Sequence, residues 1–172
     1  GKAAKSFGNI TSEMLATISR QIIILHTIRP LNTIRRIHVV VPFRADKEVG
    51  FVRWLNHVLR LGRQLDCLIV FYCDETVWQL INERRAQHYA KVKTQCHLFR
   101  DYNQVAALRQ YVNSDHMIVL IAARAGSPSY HPYMQKIPAV VANYFNDNSV
   151  MIIYPDQYGL EKRISAFNTG LK

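Results

Sequence analysis

The sequence predicts a doubly wound α/β domain on a five-stranded parallel sheet, and three observations carry that expectation. Five short apolar runs recur, at residues 37–42, 67–72, 94–99, 117–122 and 149–154, the length and residue types of buried strands. Amphipathic patterns of helical spacing separate them. The connections are short, so strand and helix alternate, and each crossover must return the chain to the same end of the sheet.

Before the first run, residues 11–20 read as a helix, with Met14, Leu15 and Ile18 on one side, Thr11 or Ser12 as cap and Glu13 early. Residues 21–26 carry Ile22, Ile23, Ile24 and Leu25, a strand pattern outside the alternating scheme. A strand this apolar either pairs at a sheet edge or stays exposed and adhesive. In the first connection Val49, Val52, Trp54, Leu55, Val58, Leu59, Leu61 and Leu65 recur at steps of three and four, with Arg53, Arg60, Arg63 and Gln64 mainly opposite. Asp74 caps the second helix, with Glu75 in its first turn and Val77, Trp78, Leu80 and Ile81 behind. Val105, Leu108, Tyr111 and Val112 mark the third helix; Met134, Ile137, Val140, Val141 and Tyr144 mark the fourth.

Composition excludes several classes. Of 172 residues 49% are hydrophobic and 20% charged, with 7 Gly and 6 Pro, which describes an ordered core and not a disordered or collagenous chain. The longest apolar runs, 67–73 and 117–123, are seven residues, against about 18 to 20 for a membrane-spanning helix. No secretory signal pattern follows Gly1, and an opening glycine suggests a trimmed start. Cys67, Cys73 and Cys96 are an odd number without metal-ligand spacing. Cys67 and Cys73 flank one strand, roughly 20 Å apart by strand rise, too far for a disulfide, and a reducing cytosol fits.

Ligands of doubly wound sheets sit beyond the carboxyl ends of the strands, where the winding reverses. In a flavodoxin-like order the loops concerned follow Val41 and Ala122. No glycine-rich dinucleotide or Walker loop is present. The candidate is 124–132, Arg-Ala-Gly-Ser-Pro-Ser-Tyr-His-Pro, where Arg124, Gly126, Ser127 and Ser129 could hold an anion before a helix; a capped surface loop is the plainer reading. His131 and His116 lack an activating cysteine or carboxylate at a suitable spacing. Asp74 beside Cys73 disfavours the thiolate, and His88, Cys96 and His97 form no metal-ligand set. No catalytic or metal residue is therefore assigned.

The net charge is +10, from 22 Lys and Arg against 12 Asp and Glu. Residues 1–36 hold half of that excess: Lys2, Lys5, Arg20, Arg29, Arg35 and Arg36 against Glu13. Nucleic-acid binding calls for aromatic residues interleaved with the basic ones, and Phe7 is the one aromatic in that segment. Nucleic acid is not an expected partner.

Val39-Val40-Val41-Pro42-Phe43, the helix ending Arg63-Gln64-Leu65-Asp66 and the strand at 67–72 resemble the opening of a universal stress protein domain. More specifically, residues 30–37 (Pro-Leu-Asn-Thr-Ile-Arg-Arg-Ile), 50–54 (Gly-Phe-Val-Arg-Trp) and 123–132 resemble the cytosolic C-terminal region of bacterial monovalent cation:proton (sodium/hydrogen) antiporters. The resemblance spans nearly the whole chain. It implies a universal stress protein-like (adenine nucleotide alpha hydrolase-like) fold, with residues 1–30 the closing helix and strand of a preceding repeat, 31–160 a complete domain and 161–172 a tail. It also implies a non-catalytic regulatory or assembly role on the cytoplasmic face of a bacterial inner membrane. The partners would be the transport domain and preceding repeat of the same polypeptide, and a second copy in a homodimer.

Nucleotide-binding members of that family carry Gly-x2-Gly-x9-Gly-Ser after the fourth strand. Here Ala122 and Ala125 stand at the first two glycines, Gln135-Lys136 at Gly-Ser, and Arg44 at the acidic residue after the first strand. These changes fill space or reverse charge where adenosine phosphates would lie. The resemblance thus implies no resident cofactor, with an unidentified small anion or nucleotide at Arg44 and Arg124 as the ligand class. A nucleotide-binding stress module is the rival reading, and a small α/β hydrolase or transferase the third.

Overall fold

The computed structural model describes residues 20–157. Residues 11–19 of the helix expected at 11–20, and the tail at 161–172, lie outside them. Six strands, β1 (Ile22–His26), β2 (Arg36–Val40), β3 (Leu68–Cys73), β4 (Thr94–Leu98), β5 (His116–Ile121) and β6 (Ser149–Tyr154), form one sheet in the order β1-β6-β5-β2-β3-β4. The five from β2 to β6 are mutually parallel, and β1 runs antiparallel to β6, pairing Ile22 with Tyr154 and His26 with Val150.

One open alternative is decided and one expectation is corrected. The five parallel strands are those expected, and of the two fates open to the additional strand the structure takes edge pairing, so the whole sheet has six strands and β1 satisfies its backbone on the free side of β6. The parallel strands also follow the 3-2-1-4-5 order and not the flavodoxin order. The reversal of winding still falls between β2 and β5, so the loops after them are the ones named from the sequence.

Helix α1 (Phe51–Leu65) forms because Phe51, Trp54, Leu55, Val58, Leu59 and Gly62 line one buried stripe. It ends in a Schellman turn: Asp66 adopts a left-handed conformation (φ 49°), its amide donates to Arg63 O, and the Cys67 amide donates to Gly62 O. Helix α2 (Glu75–His88) starts as expected, with the Asp74 carboxylate accepting from the Val77 amide at 2.9 Å. The third connection differs. It is a 3-10 segment, Tyr102–Tyr111, whose buried residues Tyr102, Val105 and Leu108 are three apart; that spacing fits three residues per turn better than 3.6. The fourth connection is a 3-10 turn (Pro132–Lys136) leading into α3 (Ile137–Tyr144).

Side chains alternate across the sheet and build two cores. Ile37, Val39, Ile69, Phe71, Val119 and Ile121 pack beneath α1 and α2. Val40, Val70, Ile118, Leu120, Val150 and Ile152 pack beneath the 3-10 segments and α3. No helix among the described residues is long and apolar enough to cross a membrane.

Candidate functional site

The crevice beyond β2 and β5 is closed by the chain itself. The segment 41–50 leaves β2 through Pro42 and a left-handed Arg44 (φ 64°) to a short turn, Ala45–Lys47, which presents Glu48 inward. Glu48 Oε1 accepts the Ser129 hydroxyl at 2.6 Å and the Ser129 amide at 2.9 Å, with both residues buried. This clamp joins the two switch-point loops. A buried carboxylate needs such donors, since ions are costly to remove from water.

Arg124 is also buried, and its guanidinium is directed to backbone: Nη1 donates to Pro155 O, and Nη2 to Arg20 O at 2.7 Å. Because β1 and β6 run antiparallel with Ile22 paired to Tyr154, the residues just before β1 lie beside those just after β6. Arg124 therefore ties the start of β1 to the end of β6. Asp156 lies on Gly50, where an added Cβ would approach the Asp156 backbone nitrogen to 2.5 Å, and Asp156 Oδ2 accepts from Arg53 Nη1 at 2.8 Å. Only glycine lets 155–156 lie this close.

The residues expected to hold an anion are thus divided. Arg124 and Ser129 are buried and engage Pro155, Arg20 and Glu48. The Ser127 hydroxyl donates to Arg124 O at 2.7 Å, shaping the turn. Arg44 and Gly126 are exposed, and Gly126 has φ 87°, a conformation that favours glycine. Glu48 and Asp156 escaped notice because isolated acidic residues in loops carry no pattern. Their role arises only when distant segments meet.

His131 caps the following 3-10 turn, its Nδ1 accepting the Tyr133 amide at 3.1 Å, which accounts for it structurally. Among the described residues no group of three or more His, Cys, Asp or Glu could hold a metal. Cys73 and Cys96, on adjacent strands, approach to 3.9 Å between sulfurs. Sequence distance did not suggest this pair. Burial, then Cys96, then Asp74 push the Cys73 thiol well above its ordinary range, the direction expected from its neighbour Asp74 but with burial as the larger cause.

A second polar cluster crosses the sheet, from Tyr72 near the carboxyl end of β3 to His116 at the start of β5. Buried His38 on β2 places Nδ1 2.9 Å from Tyr72 Oη on β3 and Nε2 2.9 Å from His116 Nδ1 on β5. The His97 ring on β4 lies 5.3 Å from that of Tyr72, and Tyr111 follows at 5.8 Å. Burial is the main cause that lowers His38 to about 3 and raises Tyr72 to about 12; it also lowers His116. The sequence names His116 but gives no hint of His38, which sits inside an apolar strand.

Comparison with protein-family models, curated proteins and solved structures returned no match.

Proposed function

We propose that this chain is a non-catalytic regulatory or assembly domain of universal stress protein type, belonging to a cation:proton antiporter whose transport chemistry lies in a separate membrane part. The observation that carries the reading is the closed switch point. Where a sheet of this order offers a ligand crevice, Pro155, Asp156 and the Glu48–Ser129 clamp occupy the space. A domain with that crevice filled acts through its surfaces. The edge strand β1 is one such surface, with Ile23 43% and Leu25 45% exposed. An apolar edge is suited to a second copy or a preceding repeat. Ser129 against Glu48 is a hydroxyl–carboxylate pair, yet both are buried and one carboxylate oxygen also holds the Ser129 amide; it serves as a fastening.

Sedimentation and calorimetry test the reading together. The chain should sediment as a dimer that dissociates in an Ile23→Lys, Leu25→Glu variant, and should show no saturable micromolar binding of ATP or AMP. Deleting residues 1–30 is a poorer test, since it strips β1 from β6 within one chain. A monomer unaffected by the edge charges, or saturable ATP binding lost in Arg44→Ala, would favour the nucleotide-binding module instead.

A further inference from the structure

One arrangement of protons satisfies the His38 cluster, and a backbone amide dictates it. The Asn113 amide lies 3.2 Å from His116 Nδ1 and can only donate, so that nitrogen presents a lone pair. His38 Nε2 is 2.9 Å from the same atom and must carry a hydrogen. Neutral His38 then has its lone pair at Nδ1, and the Tyr72 hydroxyl, 2.9 Å away, donates into it. The His116 proton resides at Nε2, 3.7 Å from Asp115 Oδ1. All donors point one way along the chain, from Tyr72 through His38 into His116 Nδ1, where the Asn113 amide joins them.

His116 Nδ1 thus holds two donors, and one of them belongs to the turn that begins β5. We propose that His116 is a proton-operated latch, in which uptake of a proton turns Nδ1 into a donor, expels the Asn113 amide and releases the 113–116 turn from the sheet, while His38 stays bonded by moving its own hydrogen from Nε2 to Nδ1 and donating to Tyr72 Oη. The turn has other ties that the latch positions. His116 N donates to Asn113 O at 3.0 Å, Arg35 N donates to Asp115 O at 2.9 Å, and Asn148 Nδ2 donates to Asn113 O at 2.7 Å and His116 O at 3.2 Å. Asn148 directly precedes β6, so release reaches the β5–β6 end of the sheet.

The groups facing the latch set its threshold. Arg36 on β2 and the His38 ring oppose a positive charge at this end, as does His97 on β4 toward His38. Asp115 and the Tyr111 backbone favour the charge on His116, and Tyr72 on β3 stays a neutral donor. Burial outweighs the favourable pair, which places the latch in its closed form at neutral pH. The latch does not depend on the antiporter reading.

The test is nuclear magnetic resonance on the intact chain between pH 8 and pH 5. Ring nitrogen shifts should identify the Nε2–H form of His116 at pH 8. As His116 takes up its proton below pH 6.5, exchange protection of the Asn113 amide, corrected for intrinsic pH dependence, should fall at least tenfold while that of core Val119 holds. In His116→Gln, whose amide oxygen is an acceptor that does not titrate, protection at Asn113 should be level across the range; if that variant fails to fold, the wild-type data decide. Protection at Asn113 that persists after His116 is protonated, or that falls only together with Val119, would overturn the latch.

Discussion

The switch-point loops and the interior of the sheet solve the burial of polar groups in opposite ways. Beyond the carboxyl ends, Glu48, Arg124, Arg53 and Asp156 meet partners that hold their charges: amide and hydroxyl donors for Glu48, carbonyls for Arg124, and each other for Arg53 and Asp156. Within the sheet, from Tyr72 near the carboxyl end of β3 through mid-strand His38 to His116 at the start of β5, neutral groups share protons. The first region is held by contacts between distant segments, whereas the second depends on where one proton sits. The difference shows that a buried charge closes a structure only when its partner arrives from a distant segment, while a buried neutral histidine keeps the option of charging.

The largest expected effect breaks the loop clamp. Glu48→Ala leaves the Ser129 amide and hydroxyl buried without an acceptor, which should cost about 3 kcal/mol in urea denaturation. A loss below about 1 kcal/mol would mean that the loops do not depend on the clamp.

Acidification should act on the histidine cluster. The folded chain disfavours charged His38, so below its ordinary value of 6.5 the unfolded chain binds a proton that the folded chain refuses. Stability from this group is whole above pH 6.5 and is lost as the pH falls toward about 3. Between neutral pH and pH 5 it should remove about 2 kcal/mol, at roughly 1.4 kcal/mol per unit. Urea midpoints at pH 7.5, 6 and 5 measure the slope; a flat profile would place His38 outside the acid response.

The smallest effect sharpens the contrast. The Arg53 side chain is 55% exposed, so its pair with Asp156 is screened by water and Arg53→Gln should cost under about 1 kcal/mol. Raising salt should reduce even that, whereas the histidine cluster should hardly respond. A salt-insensitive loss would point to a different contact for Arg53.

Several elements were legible because they obey local periodicities. The stripe Trp54, Leu55, Val58 and Leu59 defines α1, Asp74 announces its own capping role, and the runs of Val and Ile locate the strands to within a residue or two. The 3-10 segment was harder to read, since Val105, Leu108 and Tyr111 suit either kind of helix and Tyr102 tips the spacing to three. At the switch point the loops after Val41 and Ala122 were legible from winding rules, but Glu48 and Asp156 were not. Their partners lie 81 and 103 residues away in sequence.

What the amino-acid sequence by itself determined was an alternating α/β domain with a strongly basic balance, because hydrophobic period and side-chain charge are local properties of the chain. Only the tertiary structure decided three further things. It set β1 antiparallel against β6, turned Arg124 from a ligand candidate into a tie between Arg20 and Pro155, and aligned Tyr72, His38 and His116 around one amide. Each depends on backbone or side-chain atoms brought within hydrogen-bond range by packing of the whole sheet. Such directional, short-range contacts leave no periodic trace in a sequence.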